Sequence, residues 1–322
     1  MAQRAETGTV LVTSRTFGSG RTDPGALLGE HGLAVRRGDH RHRVNELAPL
    51  LADAVAWIAG TGPIGAAHLS LAPRLRHVAR YGVGTDAVDG AALAERGIAL
   101  TNTPGANADA VADHTIGLIL ATLRHLVPAD QAVRRGDWSG ARGRELGGCS
   151  VGIVGYGWVG RAVRRRLAGF GTKVLVSDPF VDPSDVDVPV LDLEALLPSV
   201  DILTLHVPGL PRPVIDGVAI RRLPRGAIVV NTSRPGTVDE AALAAALHEG
   251  HLAGAASDVP AGVQGGGSPL LAAPNVVLTP HIAGHTVEAI DRMGQMAAEE
   301  VVRVVVQGAE PLHPVTITVD RA

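Results

Sequence analysis

The chain has 322 residues, enough for two domains of ordinary size, and its 46% hydrophobic and 19% charged residues favour a packed core over disorder. A formal net charge of −3 argues against a general binder of nucleic acid or of anionic membranes. The sequence has neither an apolar signal peptide at its N-terminus nor a run of about 18 apolar residues, so we expect a cytoplasmic protein without a membrane span.

Short apolar runs alternate with alanine-rich helical stretches over the first hundred residues. The predicted strands are 8–13, 54–59, 75–80 and 98–101, and the predicted helices between them include 24–31, 44–51 and 88–96. An alternation of this kind is typical of a parallel sheet with helices on both faces.

A second alternating series begins near Ser150. Its six predicted strands are 151–155, 173–178, 201–206, 227–232, 251–259 and 275–280. Six regularly spaced strands are the number in a complete dinucleotide-binding sheet. Two long helical patterns, 107–126 and 286–307, flank this series, with Asn107 and Thr286 as candidate N-caps. A final alternating segment, 315–319, is expected to return to the first sheet as a strand.

A glycine-rich turn follows the first strand of the second series and opens a helix. It consists of Gly155, Tyr156, Gly157, Trp158, Val159 and Gly160. The spacing GxGxxG is weak alone, but a strand before it, a helix after it and an acid, Asp178, at the end of the next strand together predict a dinucleotide site. The glycines let backbone N–H groups approach a pyrophosphate at the helix N-terminus. Asp178 would bond ribose hydroxyls and repel a 2′-phosphate, so we expect NAD rather than NADP.

Ordered blocks along most of the chain resemble the D-2-hydroxyacid dehydrogenase family, which includes phosphoglycerate, D-lactate, glyoxylate and formate dehydrogenases. The blocks are 79–89, 101–115, the glycine turn, 206–208, 223–240, 255–259 and 275–289. The resemblance implies an α/β fold of two Rossmann-like or flavodoxin-like domains with parallel sheets. An NAD-binding domain of residues 102–287 would be inserted into a discontinuous substrate domain of residues 1–101 and 288–322.

Three of these blocks carry groups suited to the reduction of a 2-oxo acid. The turn of Gly82, Val83 and Gly84 can point successive N–H groups at a carboxylate, and the family uses it in that way. Arg234 follows a strand's carboxyl end, where a guanidinium can hold an acid by two hydrogen bonds. His281 can protonate the alkoxide that hydride transfer creates, and the resemblance makes it the catalytic acid/base.

The resemblance implies further contacts to the cofactor and the substrate. The cofactor-lining positions are His206, Val207, Pro208, Thr232, Ser233 and Asp258. Asn107 matches a position that contacts substrate in formate dehydrogenase, although helix capping explains it equally well.

One catalytic position of the family is altered in this chain. The family places a glutamate five residues after the equivalent of Asp258, where it orients the catalytic histidine and raises its pKa. Counting from either side of the loop gives Val263 or Gly262, and Gln264 is one position away. Ala59 stands where phosphoglycerate dehydrogenases commonly carry a phosphate-binding arginine.

Three hypotheses follow from these residues. The first is hydride transfer between NAD(H) and a small 2-hydroxy or 2-oxo acid. The second is oxidation of formate or a similar small oxyanion, and the third is an NAD-sensing binding protein weakened in catalysis by the missing glutamate. We expect no metal, no nucleic-acid partner and a homodimer through the NAD-binding domain. The sequence does not name the acid.

Overall fold

The computed structural model describes residues 8–262 and 267–316. The chain divides into two compact units: the first unit contains residues 1–107 and 285–322, and the second unit contains residues 108–284. Each unit is built on its own parallel sheet, as predicted from the alternation of strands and helices.

The first unit has a five-stranded parallel sheet. Its strands are β1 (Gly8–Val12), β2 (Leu33–Arg37), β3 (Ala54–Ala59), β4 (His77–Arg80) and β5 (Ala99–Thr101), in the order β2-β1-β3-β4-β5. Its first four helices are α1 (Pro24–Glu30), α2 (Val44–Leu51), α3 (Ala66–Leu69) and α4 (Gly90–Glu95). The central strand β3 is buried at all six positions, which explains its unbroken apolar sequence.

Strand β2 was absent from the sequence-based prediction. Of its five residues only Leu33 is buried, because β2 lies at the sheet edge and pairs with β1 alone. The C-terminal segment returns to the opposite edge of this sheet, where the N–H of Val315 donates to the carbonyl of Leu100 at 2.9 Å. The predicted strand 315–319 lies outside the described residues after Thr316.

The second unit has a six-stranded parallel sheet. Its strands are β6 (Ser150–Val154), β7 (Lys173–Ser177), β8 (Ile202–Leu205), β9 (Ala227–Asn231), β10 (Leu252–Ser257) and β11 (Val276–Leu278), in the order β11-β10-β9-β8-β6-β7. Strand β6 pairs with β7 on one side and with β8 on the other. The chain therefore changes its direction across the sheet at β6, and ligands of such sheets bind beside the carboxyl ends at this switch point.

Six helices accompany this sheet. They are α5 (Ala108–Leu123), α6 (Leu126–Arg134), α7 (Trp158–Leu167), α8 (Leu193–Leu196), α9 (Gly217–Arg222) and α10 (Glu240–His248). The predicted helix 107–126 ends earlier than expected because His125 has a left-handed backbone, with φ +52°, and a new helix starts after it. No residue of α6 is buried.

Over residues 8–262 and 267–316, no single helix is long and apolar enough to cross a membrane, and only the bent α5–α6 pair reaches that length and composition jointly.

The last helix, α11 (Val287–Val301), belongs to the first unit and continues as a π-helical turn over Val302–Val306. The hydroxyl of Thr286 accepts a hydrogen bond from the N–H of Ala289 at 3.2 Å, so the predicted N-cap is confirmed.

Candidate active site

The glycine turn joins β6 to α7 at the switch point of the second sheet. Gly155 has φ +89°, and a Cβ there would lie 2.5 Å from the carbonyl oxygen of His206. A Cβ at Gly160 would lie 2.2 Å from the carbonyl oxygen of Gly155. Helix α7 can therefore pack against the turn only because residue 160 has no side chain. A Cβ at Gly157 would meet no heavy atom within 4 Å. The first and third glycines serve packing, and the second leaves open space at the N-terminus of a ten-residue helix, as a pyrophosphate site needs.

Asp178 directly follows β7 and is half-buried. Its Oδ2 accepts the N–H of Tyr156 at 2.7 Å, and its Oδ1 accepts the N–H of Phe180 at 2.9 Å. The carboxylate thereby ties its strand to the glycine turn. A carboxylate has about four acceptor positions, so two remain for hydroxyl groups of a ligand. Beside this acid, Trp158 and Phe180 are 67% and 95% exposed.

The predicted residues of the second unit lie along one edge of the sheet, each after its strand. In the spatial order of the strands they are His281, Asp258, the pair Thr232 and Arg234, His206, the glycine turn and Asp178. Val207 and Pro208 continue the loop after β8. Neighbouring parallel strands are about 4.8 Å apart and their carboxyl ends share one edge. The fold thus brings together groups separated by more than a hundred residues in the sequence.

The loops after β9, β10 and β11 are joined through their backbones. The N–H of Asp258 donates to the carbonyl of Asn231 at 3.0 Å, and the N–H of His281 donates to the carbonyl of Asp258 at 2.8 Å. Arg234 and His281 are therefore separated by a single intervening loop.

The loop that carries Arg234 is fixed by its own polar side chains. The carbonyl oxygen of Arg234 accepts from the Asn231 amide at 3.2 Å and from the Thr237 hydroxyl at 2.8 Å. The guanidinium NH1 donates to the carbonyl of Ser233 at 2.9 Å, and the Ser233 hydroxyl donates to Asn231 at 2.7 Å. This half-buried arginine stands on a rigid support.

His281 is exposed within the second unit and has an unusual backbone, with φ +56°. The buried carboxylate of Asp258 holds the segment that follows it. Oδ1 accepts from the N–H of Ile282 at 2.9 Å and Oδ2 from the N–H of Ala283 at 2.8 Å. Asp258 was predicted to line the cofactor, and these contacts give it a second task, which is to shape the histidine loop.

Two polar residues that the sequence did not single out surround Asp258. The Thr279 hydroxyl donates to Oδ1 of Asp258 at 2.5 Å, and His114 Nε2 lies 3.0 Å from the same hydroxyl. His114 belongs to α5 and stands inside a block that carries the family resemblance. That position was the only signal in the sequence, because the contact partners are 165 residues apart.

His206 takes part in a row of hydroxyl groups under the sheet edge. Its Nε2 is 3.0 Å from the hydroxyl of Thr204 and its Nδ1 is 3.4 Å from that of Thr232. Thr232 in turn contacts Thr115 of α5 at 2.9 Å. Burial lowers the pKa of His206 to about 3, so its imidazole is neutral and supplies one donor and one acceptor.

The turn of residues 82–84 lies in the first unit, after β4. Gly82 has φ +125°, and its N–H donates to the Thr103 hydroxyl at 3.0 Å. The carbonyls of Val83 and Gly84 accept from Asn102 at 2.9 Å and from Arg80 at 2.8 Å. Within the part of the chain that the structure describes, no protein acceptor bonds the N–H groups of Val83 and Gly84. The turn thus offers two of the three predicted N–H groups, and the buried Arg80 stabilises it by donating to the carbonyl of Gly84.

The loop that replaces the family's glutamate is described only at its ends. Val263 and Gln264 lie outside the described residues, and Gly262 has φ +77°. Glu240, buried at the start of α10, accepts from the N–H of Ala261 at 2.8 Å and from the hydroxyl of Ser268 at 2.6 Å. One carboxylate therefore holds both ends of this loop.

Two remaining predictions concern a metal and Asn107. Among residues 8–262 and 267–316, no group of three or more histidine, cysteine or acidic side chains could hold a metal ion. Asn107 is half-buried directly before α5.

Comparison with known proteins identifies a family that this chain matches. Residues 116–283 match the family model described as D-isomer specific 2-hydroxyacid dehydrogenase, NAD binding domain. D-3-phosphoglycerate dehydrogenase of Mycobacterium tuberculosis is 38% identical over 283 residues, which are 86% of this chain and 53% of that protein. Glyoxylate reductase of Korarchaeum cryptofilum is 41% identical over 257 residues, which are 75% of this chain and 76% of that protein.

A solved structure extends the likeness over nearly the whole chain. It is the NADPH-dependent glyoxylate/hydroxypyruvate reductase of Sinorhizobium meliloti in complex with NADP and malonate. Its TM-score is 0.83, its sequence is 30% identical, and the match covers 97% of both chains. Against the mycobacterial relative, in contrast, the chain spans only about half the length of the longer protein.

The two parallel sheets and the glycine turn at a switch point define an α/β protein with a dinucleotide-binding domain. The chain belongs to the D-isomer specific 2-hydroxyacid dehydrogenase family, and its second unit contains the nicotinamide-dinucleotide-binding domain.

Proposed function

We propose that this protein is an NAD-dependent enzyme that interconverts a small 2-oxo acid and the corresponding 2-hydroxy acid. The observation that carries the proposal is the backbone connection from Asn231 through Asp258 to His281. It links the loops of Arg234 and His281, on either side of the Asp258 loop, along the sheet edge that holds the glycine turn. A guanidinium and an imidazole next to a dinucleotide site are the two groups that reduction of a 2-oxo acid requires.

Each proposed role follows from the chemistry of the side chain. Arg234 binds the carboxylate and polarises the keto oxygen, because its planar guanidinium can donate two parallel hydrogen bonds. His281 gives a proton to the oxygen that becomes the hydroxyl, and takes it back in the reverse direction. A reduced nicotinamide, when bound, supplies the hydride for the carbonyl carbon. The N–H groups of Val83 and Gly84 are proposed to bind a carboxylate oxygen.

Residues at the glycine turn and after β7 would hold the cofactor. The open space at Gly157 accommodates a pyrophosphate at the N-terminus of α7, and Asp178 accepts ribose hydroxyls. The reductase of Sinorhizobium meliloti, whose fold is similar, was solved with NADP. We infer a preference for NAD in this chain because the Asp178 carboxylate would repel a 2′-phosphate.

The substrate is proposed to be an acid with a short, uncharged side chain. Curated relatives are named for phosphoglycerate and for glyoxylate. Ala59, the last residue of the buried strand β3, offers no charge for a phosphate group. Glyoxylate, pyruvate and hydroxypyruvate are therefore the first compounds to test.

A homodimer through the second unit stays a prediction. The exposed Leu126, Val127 and Trp138 favour it, and a molecular mass from light scattering would test it.

The test follows NADH oxidation with these three acids in the wild type and in two variants. His281→Asn keeps a residue type that tolerates a positive φ but removes the proton donor, so kcat should fall by about 100-fold or more. His248→Asn is the matched control, because His248 is exposed at the end of α10, and its kcat should equal that of the wild type.

Two results would contradict the proposal. One is an unchanged kcat in His281→Asn. The other is a wild type that binds NADH tightly but turns over none of the acids, which would indicate an NAD-sensing binding protein.

A further inference from the structure

We propose that His114 and Thr279 are positioning residues for His281, and that they act through Asp258. This inference rests on the proposed function, in which His281 is the catalytic acid. It concerns how the histidine loop keeps its shape in a chain where the sequence places no glutamate at the family's orienting position.

The direction of each hydrogen bond in the group can be assigned. The Asp258 carboxylate only accepts, so the single proton of the Thr279 hydroxyl points to Oδ1 at 2.5 Å. The Thr279 oxygen must then accept from His114, whose Nε2 is 3.0 Å away. The group is therefore a directed chain in which the His114 N–H donates to Thr279, and Thr279 donates to Asp258.

This chain of hydrogen bonds ends on the backbone beside the catalytic histidine. Asp258 accepts the N–H of His281 with its carbonyl at 2.8 Å, and its carboxylate accepts the N–H groups of Ile282 and Ala283. Three consecutive N–H groups are thus held by one residue. Because His281 has φ +56°, a conformation that L-residues seldom adopt, its loop needs such external fixation to persist.

The other end of this chain of hydrogen bonds, His114, lies on a helix that is packed into the core. His114 belongs to the 16-residue helix α5, whose buried residues include Ala112, Thr115 and Ile116 around it. Asp258 is 1% exposed and the His114 side chain is 22% exposed, so water competes little for these bonds. His114 Nε2 is also 3.6 Å from Oδ1 of Asp258, so the imidazole lies close to the carboxylate itself.

The experiment compares two pairs of variants in the full-length protein. Thr279→Val removes the hydroxyl at nearly constant volume, and Thr279→Ser keeps it. His114→Leu removes the donor, and His114→Gln can still donate to Thr279. Loss of a hydrogen bond to a buried charge costs a free energy that corresponds to about a ten-fold change or more in an equilibrium constant. Because this bond is proposed to hold the histidine loop in its catalytic position, kcat of Thr279→Val should fall by about that factor. The KM for NADH and for the acid should stay within about two-fold, and the Ser and Gln variants should recover most of kcat.

A double variant tests whether the two residues act in series. If His114 acts through the Thr279 hydroxyl, the loss in Thr279→Val combined with His114→Leu should be smaller than the product of the single losses. Hydrogen exchange of the peptide that contains Ile282 and Ala283 should quicken in Thr279→Val and not in Thr279→Ser. The melting temperature of Thr279→Val should fall by only a few degrees, because a single hydrogen bond is lost.

Each result decides the question. An active wild type with an unchanged kcat in Thr279→Val overturns the inference alone. Faster exchange with an unchanged kcat also overturns it, because the loop would then move without consequence for catalysis. A wild type inactive with every acid overturns the proposed function, and the inference falls with it. Should Thr279→Val fail to fold, His114→Leu, which leaves the bond between Thr279 and Asp258 in place, is measured in the same way.

Discussion

Asp178 has two tasks at the scale of a single residue, and a substitution can separate them. Its charge is proposed to reject NADP, while its Oδ2 holds the N–H of Tyr156 in the glycine turn. Asp178→Asn keeps an acceptor for that N–H and removes the charge. We expect the ratio of kcat/KM for NADH to that for NADPH to fall by about ten-fold or more, because repulsion of the 2′-phosphate is lost.

The control is Asp182→Asn. Asp182 is an exposed acid a few residues further on, where it caps the turn of Pro183–Asp185. Its substitution should leave the cofactor ratio as it is in the wild type. An unaltered ratio in Asp178→Asn would show that another group selects the cofactor.

Individual site residues could be predicted only where the chain itself marks them. Arg234 and His281 follow strands and stand in characteristic blocks, so the sequence identified them as candidates. His114 and Thr279 are recognised through contacts with residues that are distant in the sequence, and no local pattern shows such contacts. The neutral state of His206 likewise arises from burial, which is a property of the folded chain.

The glycine turn gives a prediction at the scale of an element. Gly157→Ala places a methyl group in space that no protein atom occupies within 4 Å, whereas Gly160→Ala drives it to 2.2 Å from a carbonyl oxygen. Gly157→Ala should therefore keep the melting temperature of the wild type and weaken NADH binding by about ten-fold or more. Gly160→Ala should lower the melting temperature by several degrees, because α7 must move away from the turn.

Calorimetry and fluorescence titration with NADH measure the two quantities. If Gly157→Ala bound NADH as tightly as the wild type, the space beside Gly157 would not be the pyrophosphate site.

Secondary structure was predicted best where burial is uniform. Strands β3 and β8 are wholly buried; β3 has an unbroken apolar sequence, and only Thr204 interrupts that of β8. Edge strand β2 has one buried residue and gives almost no periodic signal. The end of α5 was missed because the left-handed residue there is His125 and not glycine, so the usual signal of a helix C-terminus is lacking.

Three histidines make the stability of the whole molecule depend on pH, and two of them, His42 and His77, are fully buried. Burial lowers the pKa of His77 and of His206 to about 3 and that of His42 to about 4. In the unfolded chain their pKa is near 6.5, so below that pH the unfolded state binds more protons than the folded state. Stability should fall as the pH drops from about 6.5 towards 4, by up to about 1.4 kcal/mol per pH unit for each histidine.

Two of these histidines, His42 and His77, belong to the first unit, so we expect that unit to be the more sensitive to acid. His77→Gln should reduce the slope of unfolding free energy against pH by about 1.4 kcal/mol per unit, as measured by urea unfolding between pH 6.5 and 4.5. The exposed His248→Gln should leave the slope as it is. A slope that is equal in wild type and His77→Gln would contradict this assignment.

The class of the whole fold could be predicted because parallel strands need long crossovers, which here are helices. The alternation of the two patterns therefore implied two parallel sheets before any contact was known. The strand order and the pairing of the C-terminal segment with β5 depend on long-range packing, and the sequence alone does not reveal them.

The left-handed backbone at position 281 affects the folding free energy of this chain. Glycine would adopt that conformation without the roughly 1–2 kcal/mol that an L-side chain pays for it. The proposed role of His281 therefore carries a cost in folding free energy of roughly 1–2 kcal/mol that glycine at this position would avoid.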